Sequence, residues 1–137
     1  MFENFICRDT INEYTEKLGQ LTEIVLKAMA KSLSLDDSCF LDHCREGALM
    51  YTRFNLYPVC PRPDVILGLK PHADGSTITF LLQDKEVEGL QVLKDDQWVG
   101  VPIIPQALLI NLGDQSEVKV LTYTVGKCVK FLTKNIE

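Results

Sequence analysis

One pair of side chains stands out for its chemistry: His72 and Asp74, separated by Ala73. Alternate residues of a strand project to the same face. A neutral imidazole and a carboxylate so placed can chelate one divalent cation. Such a mixed nitrogen and oxygen donor set suits iron in a two-histidine, one-carboxylate arrangement. One such pair is no rarity in a chain with two histidines and 19 acidic residues. Taken alone it reads more readily as a solvated polar pair at a strand end.

The elements that would position this pair change character along the chain. Ile11, Tyr14, Leu18, Leu21, Val25, Ala28 and Met29 recur at spacings of three and four, which predicts one amphipathic helix ending near Ser32. Thr10 with Glu13 fits a capping box at its start. Ser34-Leu-Asp-Asp37 suggests a second, short helix that Gly47 would stop. From Leu49 the period shortens to two: Met50, Thr52, Phe54 and Leu56 alternate with Tyr51, Arg53 and Asn55. Three prolines within 58–63 demand an extended loop. Strands are expected at 65–70, 76–83, 90–93, 98–101 and 108–112. Lys94-Asp-Asp-Gln97 is expected to be a hairpin turn. Helices followed by short strands predict an α+β chain, mainly β, built as a sandwich, barrel or jelly roll.

Composition narrows the function. The 137 residues suit one domain. A net charge of −5 argues against a nucleic-acid partner. The apolar runs are far short of a membrane span, and no secretory leader is recognisable. Five cysteines (Cys7, Cys39, Cys44, Cys60, Cys128) are odd in number and lack CxxC spacing. That argues against a disulfide framework or structural zinc and for a reducing, cytoplasmic setting. The last 19 residues carry four lysines against one glutamate on an otherwise acidic chain, a compositional break near Lys119.

The stretch from Arg53 to Asp64, followed by Leu67-Gly-Leu-Lys-Pro-His-Ala-Asp74, resembles the plant iron(II)- and 2-oxoglutarate-dependent dioxygenases of flavonoid, alkaloid and hormone metabolism. Thr79–Gln83, Gly89–Val92, Trp98, Val101-Pro102, Ala107–Asn111 and Gly113-Asp-Gln115 fit the same family in the same order. The resemblance covers roughly residues 2–118. It implies a partial double-stranded β-helix (jelly roll), with a helical segment at 1–47, the catalytic domain at 48–118 and a divergent basic tail at 119–137. It makes His72 and Asp74 the first two iron ligands, and Asn55 and Tyr57, as an Asn-x-Tyr motif, contacts for 2-oxoglutarate. The implied reaction oxidises a small specialised-metabolite or hormone substrate with dioxygen, releasing succinate and carbon dioxide.

The chain departs from that pattern beyond Val118. The family uses a second histidine and an Arg-x-Ser pair on later strands. Here the histidines are His43 and His72, and all four arginines (Arg8, Arg45, Arg53, Arg62) precede His72. Without an arginine to grip it, the distal carboxylate of 2-oxoglutarate loses its bidentate partner. Cys128 falls near the expected position of the distal histidine, although a free cysteine more often serves as a small buried hydrophobe. His43, beside Cys44, reads as a helix residue, and Lys127 and Lys130 as a solvated face. The expectation is a form truncated at both ends, with residues 119–125 and 128–133 pairing as a substitute hairpin over an otherwise exposed sheet edge. Two function classes follow: an oxygenase, or a non-catalytic form that retains metal binding or associates with full-length relatives. A cupin-like metal jelly roll is a third reading, against which the Asn-x-Tyr and proline-loop motifs argue.

Overall fold

The computed structural model describes residues 2–42, 49–116 and 129–131, with side chains for 7–42 and 49–116. The chain divides into two compact units, Met1–Arg53 and Phe54–Glu137.

The first unit is built on helix α1 (Phe2–Ser32), about 46 Å long at 1.5 Å per residue. It begins well before Thr10, so the Thr10–Glu13 pair lies inside the helix and does not cap it. No glycine or proline interrupts residues 2–10, and a nucleated helix propagates through such a stretch. Ile11, Leu18, Leu21, Val25 and Met29 are half-buried as expected, but Tyr14 and Ala28 are exposed. The deepest residues are instead Leu26 and Ala30, at 1% and 0% exposure.

The helix end explains that depth. Ser34 adopts a positive φ of 57°. The Leu35 amide donates to the Ala30 carbonyl at 2.9 Å, and the Ser34 amide to Lys31 at 3.1 Å. This is a Schellman termination, in which the chain folds back over its last turn and covers Ala30. Ser34 therefore ends the first helix, and the start expected within 34–37 falls to Asp36, beyond which the Asp42 amide donates to the Ser38 carbonyl at 2.9 Å. The following turn is held by Asp36, whose Oδ1 accepts from the Ser38 amide at 2.9 Å and the Ser38 hydroxyl at 2.7 Å. Those bonds, the amide first, hold its carboxyl below the usual range. Leu41 is buried beyond the turn. The rest of the expected short helix, His43 and Gly47 included, lies outside the described residues.

Residues 49–57 form no strand, contrary to their alternation. A strand needs a neighbour to take up its backbone amides and carbonyls. Among the described residues none pairs here, and Leu56 is 91% exposed. The proline stretch forms a loop without helix or strand, ending in a turn where the Val65 amide donates to the Arg62 carbonyl at 3.2 Å. It is braced by Arg62, whose Nε and Nη2 donate to Asp64 at 3.0 and 2.9 Å; the pair is exposed, so its net contribution is small.

Among the described residues, the second unit forms six short strands: β1 (Leu69–His72), β2 (Ile78–Leu81), β3 (Leu90–Lys94), β4 (Gln97–Gly100), β5 (Leu109–Leu112) and β6 (Val129–Phe131). One sheet has the order β1-β6-β3-β4 and the other is the pair β2-β5. All the pairings are antiparallel. Pro71 is tolerated in β1 because β1 is an edge strand. The expected hairpin joins β3 to β4 with Lys94 opposite Gln97. Asp95 and Asp96 both have positive φ, 49° and 59°, the backbone of a type I′ turn. Leu90, 2% exposed, anchors β3, and its carbonyl accepts from Val101 just past β4 at 2.9 Å. Residues 129–131 of the expected tail hairpin form β6, seated between β1 and β3. Residues 119–125 lie outside the described residues.

Candidate metal centre

His72 closes β1, and the chain leaves the four-stranded sheet there. Its Nδ1 lies 2.8 Å from the Lys70 carbonyl oxygen. A carbonyl can only accept, so Nδ1 carries the proton in the neutral ring, and Nε2 is left with its lone pair. That lone pair faces Asp74 Oδ1 at 3.5 Å. Two bonds of about 2.1 Å meeting at a right angle separate their donors by about 3 Å, so the observed span suits a shared first-row cation. Both side chains are partly accessible, at 37% for His72 and 24% for Asp74.

The second sheet fixes the carboxylate. Thr79 of β2 and Asn111 of β5 sit directly opposite each other in the ladder. Asn111 Nδ2 donates to Asp74 Oδ2 at 2.8 Å, and Thr79, whose hydroxyl shares a hydrogen bond with Ser76 at 2.9 Å, also favours the charged carboxyl. Partial burial pushes the Asp74 carboxyl up. Asn111 and Thr79, together with the charge that His72 carries when its ring is protonated, outweigh it and bring the carboxyl below its ordinary value. Asp74 is therefore the charged, acceptor-only form that a cation requires.

Backbone lacing adds to this. The amide of Asp114 donates to the Asp74 carbonyl at 2.7 Å, that of Gly113 to Thr77 at 3.1 Å, and that of Gln115 to Ser76 at 3.3 Å. The buried Ser116 hydroxyl donates to the Thr77 carbonyl. Gly113 is required for this approach: a Cβ there would fall well inside contact with the Ser76 and Asp74 carbonyl oxygens. The result is a half-site that straddles two sheets. β1 carries the imidazole, and the β2-β5 pair holds the carboxylate.

The structure brings His72 and Asp74 together. Asn55 lies on the exposed stretch before the proline loop. Tyr57, 39% exposed, lines a shallow cleft of about 290 Å³ with Pro58, Cys60, Pro61, Ile66 and Leu67 among its other walls. Among the described residues no third histidine, cysteine, aspartate or glutamate joins the pair. His43 and Cys128 lie outside the described residues, as does the side chain of Lys130. Thr79 and Asn111 are the functional positions that motif reading passed over. Their sequence signal was the placement of one polar side chain in each of two apolar strands.

The 2OG-Fe(II) oxygenase superfamily matches residues 46–130, so the match runs past Val118 into β6. The chain is 40% identical over 111 residues to codeine O-demethylase of Papaver somniferum, covering 81% of this chain and 31% of that enzyme. It is 39% identical over 124 residues to jasmonate-induced oxygenase 2 of Arabidopsis thaliana, covering 90% of this chain and 33% of that protein. The chain thus spans about a third of the length of these curated relatives. The crystal structure of JOX2 in complex with 2OG, Fe and JA superposes with a TM-score of 0.84 at 30% identity, over 95% of this chain and 39% of that one. The dioxygenase for auxin oxidation 1 from Arabidopsis thaliana, at 18% identity and a TM-score of 0.74 over 94% of this chain and 47% of that one, shares the fold. From its sequence match, its fold and its paired donors, this chain belongs to the 2OG-Fe(II) oxygenase superfamily.

Proposed function

We propose that this chain carries part of the jelly roll and part of the metal centre of an iron(II)- and 2-oxoglutarate-dependent oxygenase, acting on a small specialised-metabolite or hormone substrate. The observation that carries the reading is the His72–Asp74 pair. One nitrogen lone pair and one carboxylate oxygen face each other at 3.5 Å, and each side chain is held from behind by a hydrogen bond that leaves the facing atom free. When bound, iron with 2-oxoglutarate and dioxygen would supply the oxidising power, with succinate and carbon dioxide released. The residues here hold and orient: the Lys70 carbonyl fixes the His72 tautomer, and Asn111 fixes the carboxylate. Asn55 and Tyr57 are assigned to 2-oxoglutarate by motif, Tyr57 from the wall of its cleft. The names of the relatives, a codeine demethylase and a jasmonate-induced oxygenase, support the substrate class.

A second reading, metal binding without turnover, is favoured by the two-histidine count and the position of every arginine before His72. Anaerobic calorimetric titration of iron(II), with and without 2-oxoglutarate, tests the first reading. Binding that Asp74→Ala abolishes and 2-oxoglutarate tightens is expected; heat independent of Asp74 overturns it. Succinate formation that requires His72 separates turnover from binding alone.

A further inference from the structure

We infer that Asn111 is a positioning residue that makes Asp74 a one-oxygen ligand, by holding Oδ2 from the second sheet so that Oδ1 alone faces His72. The inference rests on the metal-site reading above and adds what sets the coordination at that site.

The geometry is specific. A carboxylate can meet a cation through one oxygen or two, and its rotation about the Cβ–Cγ bond decides which. Within the His72-Ala-Asp74 stretch, the contact on the carboxylate is His72 Nε2, 3.5 Å from Oδ1, which leaves Oδ2 to be held from elsewhere. Asn111 holds it: its amide nitrogen can only donate, and it sits 2.8 Å from Oδ2. Its own position is fixed by the ladder, opposite Thr79 and flanked by the Ile78–Leu112 and Phe80–Ile110 pairs. The Asp114 amide pins the main chain of the same aspartate at 2.7 Å. Side chain and backbone of Asp74 are thus gripped from one four-residue segment, Asn111 to Asp114. Partners behind a metal ligand commonly govern affinity by about 10- to 100-fold.

The test uses the full chain and cobalt(II), whose visible absorption reports coordination number and geometry. Asn111→Ala is expected to weaken cobalt(II) binding about 10- to 100-fold. It should also change the shape of the visible spectrum, as the released carboxylate engages through both oxygens. Thr79→Val, nearly isosteric, is expected to weaken binding by a smaller factor with the same direction of spectral change. A role confined to stability would lower the folded fraction and scale the spectrum without altering its shape, and that result overturns the inference. Should Asn111→Ala not fold, Asn111→Leu, which fills the same space without a donor, decides on the same two readouts. Wild-type binding that is lost in Asp74→Ala but unchanged in affinity and spectrum in Asn111→Ala overturns this inference alone. Wild-type binding indifferent to Asp74→Ala overturns the metal-site reading and this inference with it.

Discussion

Replacing Gly113 by alanine should unlock the loop that holds Asp74. The added Cβ meets two backbone carbonyl oxygens, those of Ser76 and Asp74, and backbone cannot rotate away as a side-chain tip would. The 74–77 and 113–116 segments must therefore move apart. Three amide bonds join them there, from Gly113, Asp114 and Gln115, each worth about 1 kcal/mol net. Overpacking at a close contact costs about 1–3 kcal/mol, and relief of the clash comes at the expense of those bonds, so the two penalties overlap. A loss of about 3 kcal/mol is expected, which for a chain of this size lowers the melting temperature by about 10 °C. Thermal unfolding followed by circular dichroism, with urea unfolding for the free energy, reads it directly. Affinity for iron(II) should fall in the same variant, because Asp74 loses its backbone anchor. A Gly113→Ala protein melting within about 2 °C of wild type would show that the segments have room the geometry denies them, and the close-approach explanation would fail.

Leu26→Ala should cost about 2–5 kcal/mol in denaturant unfolding, since Leu26 is 1% exposed and the cavity has little means of closing. Asp96→Gly should raise stability by about 0.5–1 kcal/mol in the same assay, because φ of 59° at the hairpin tip costs glycine nothing. In metal-free protein, the Asp74 carboxyl is held below its ordinary value of 3.8. Its contribution to stability is therefore complete above that value and is lost as pH falls through the lower folded one. Wild type should lose stability across that acid window, and Asp74→Asn should show a flatter acid limb in pH-dependent melting.

Local signals in the sequence were reliable where the local energy is decisive. Lys94-Asp-Asp-Gln97 forms its turn because two aspartates tolerate positive φ. Of the strands expected between residues 65 and 112, those at 76–83 and 108–112 are trimmed at their ends, those at 90–93 and 98–101 hold to within a residue, and that at 65–70 is displaced to Leu69–His72, leaving 65–68 outside any strand. The His72 and Asp74 pair is likewise local, two residues apart at the end of β1. What local reading could not reach depends on neighbours distant in sequence. Residues 50–56 alternate as a strand would, yet pairing decides strands, and no described strand lies beside them. Ser34 has the composition of a helix start, but the chain reversal over Ala30 makes it a helix end. Asn111 lies 37 residues from Asp74. Only the β2-β5 register, with Thr79 opposite Asn111, seats an isolated polar residue of one strand where it can hold the carboxylate.

Everything proposed for this chain depends on His72 and Asp74 forming one cation site. Titrating manganese(II) into isotopically labelled protein and following amide NMR signals probes that pairing without requiring turnover, because the paramagnetic ion broadens the nearest signals first. Earliest loss is expected at His72, Ala73 and Asp74, followed by Asn111 across the sheet, with the pattern abolished in Asp74→Ala. Broadening centred elsewhere, for instance on the exposed acidic residues Asp84 and Glu86, or unchanged by Asp74→Ala, would mean that the two side chains do not share a cation.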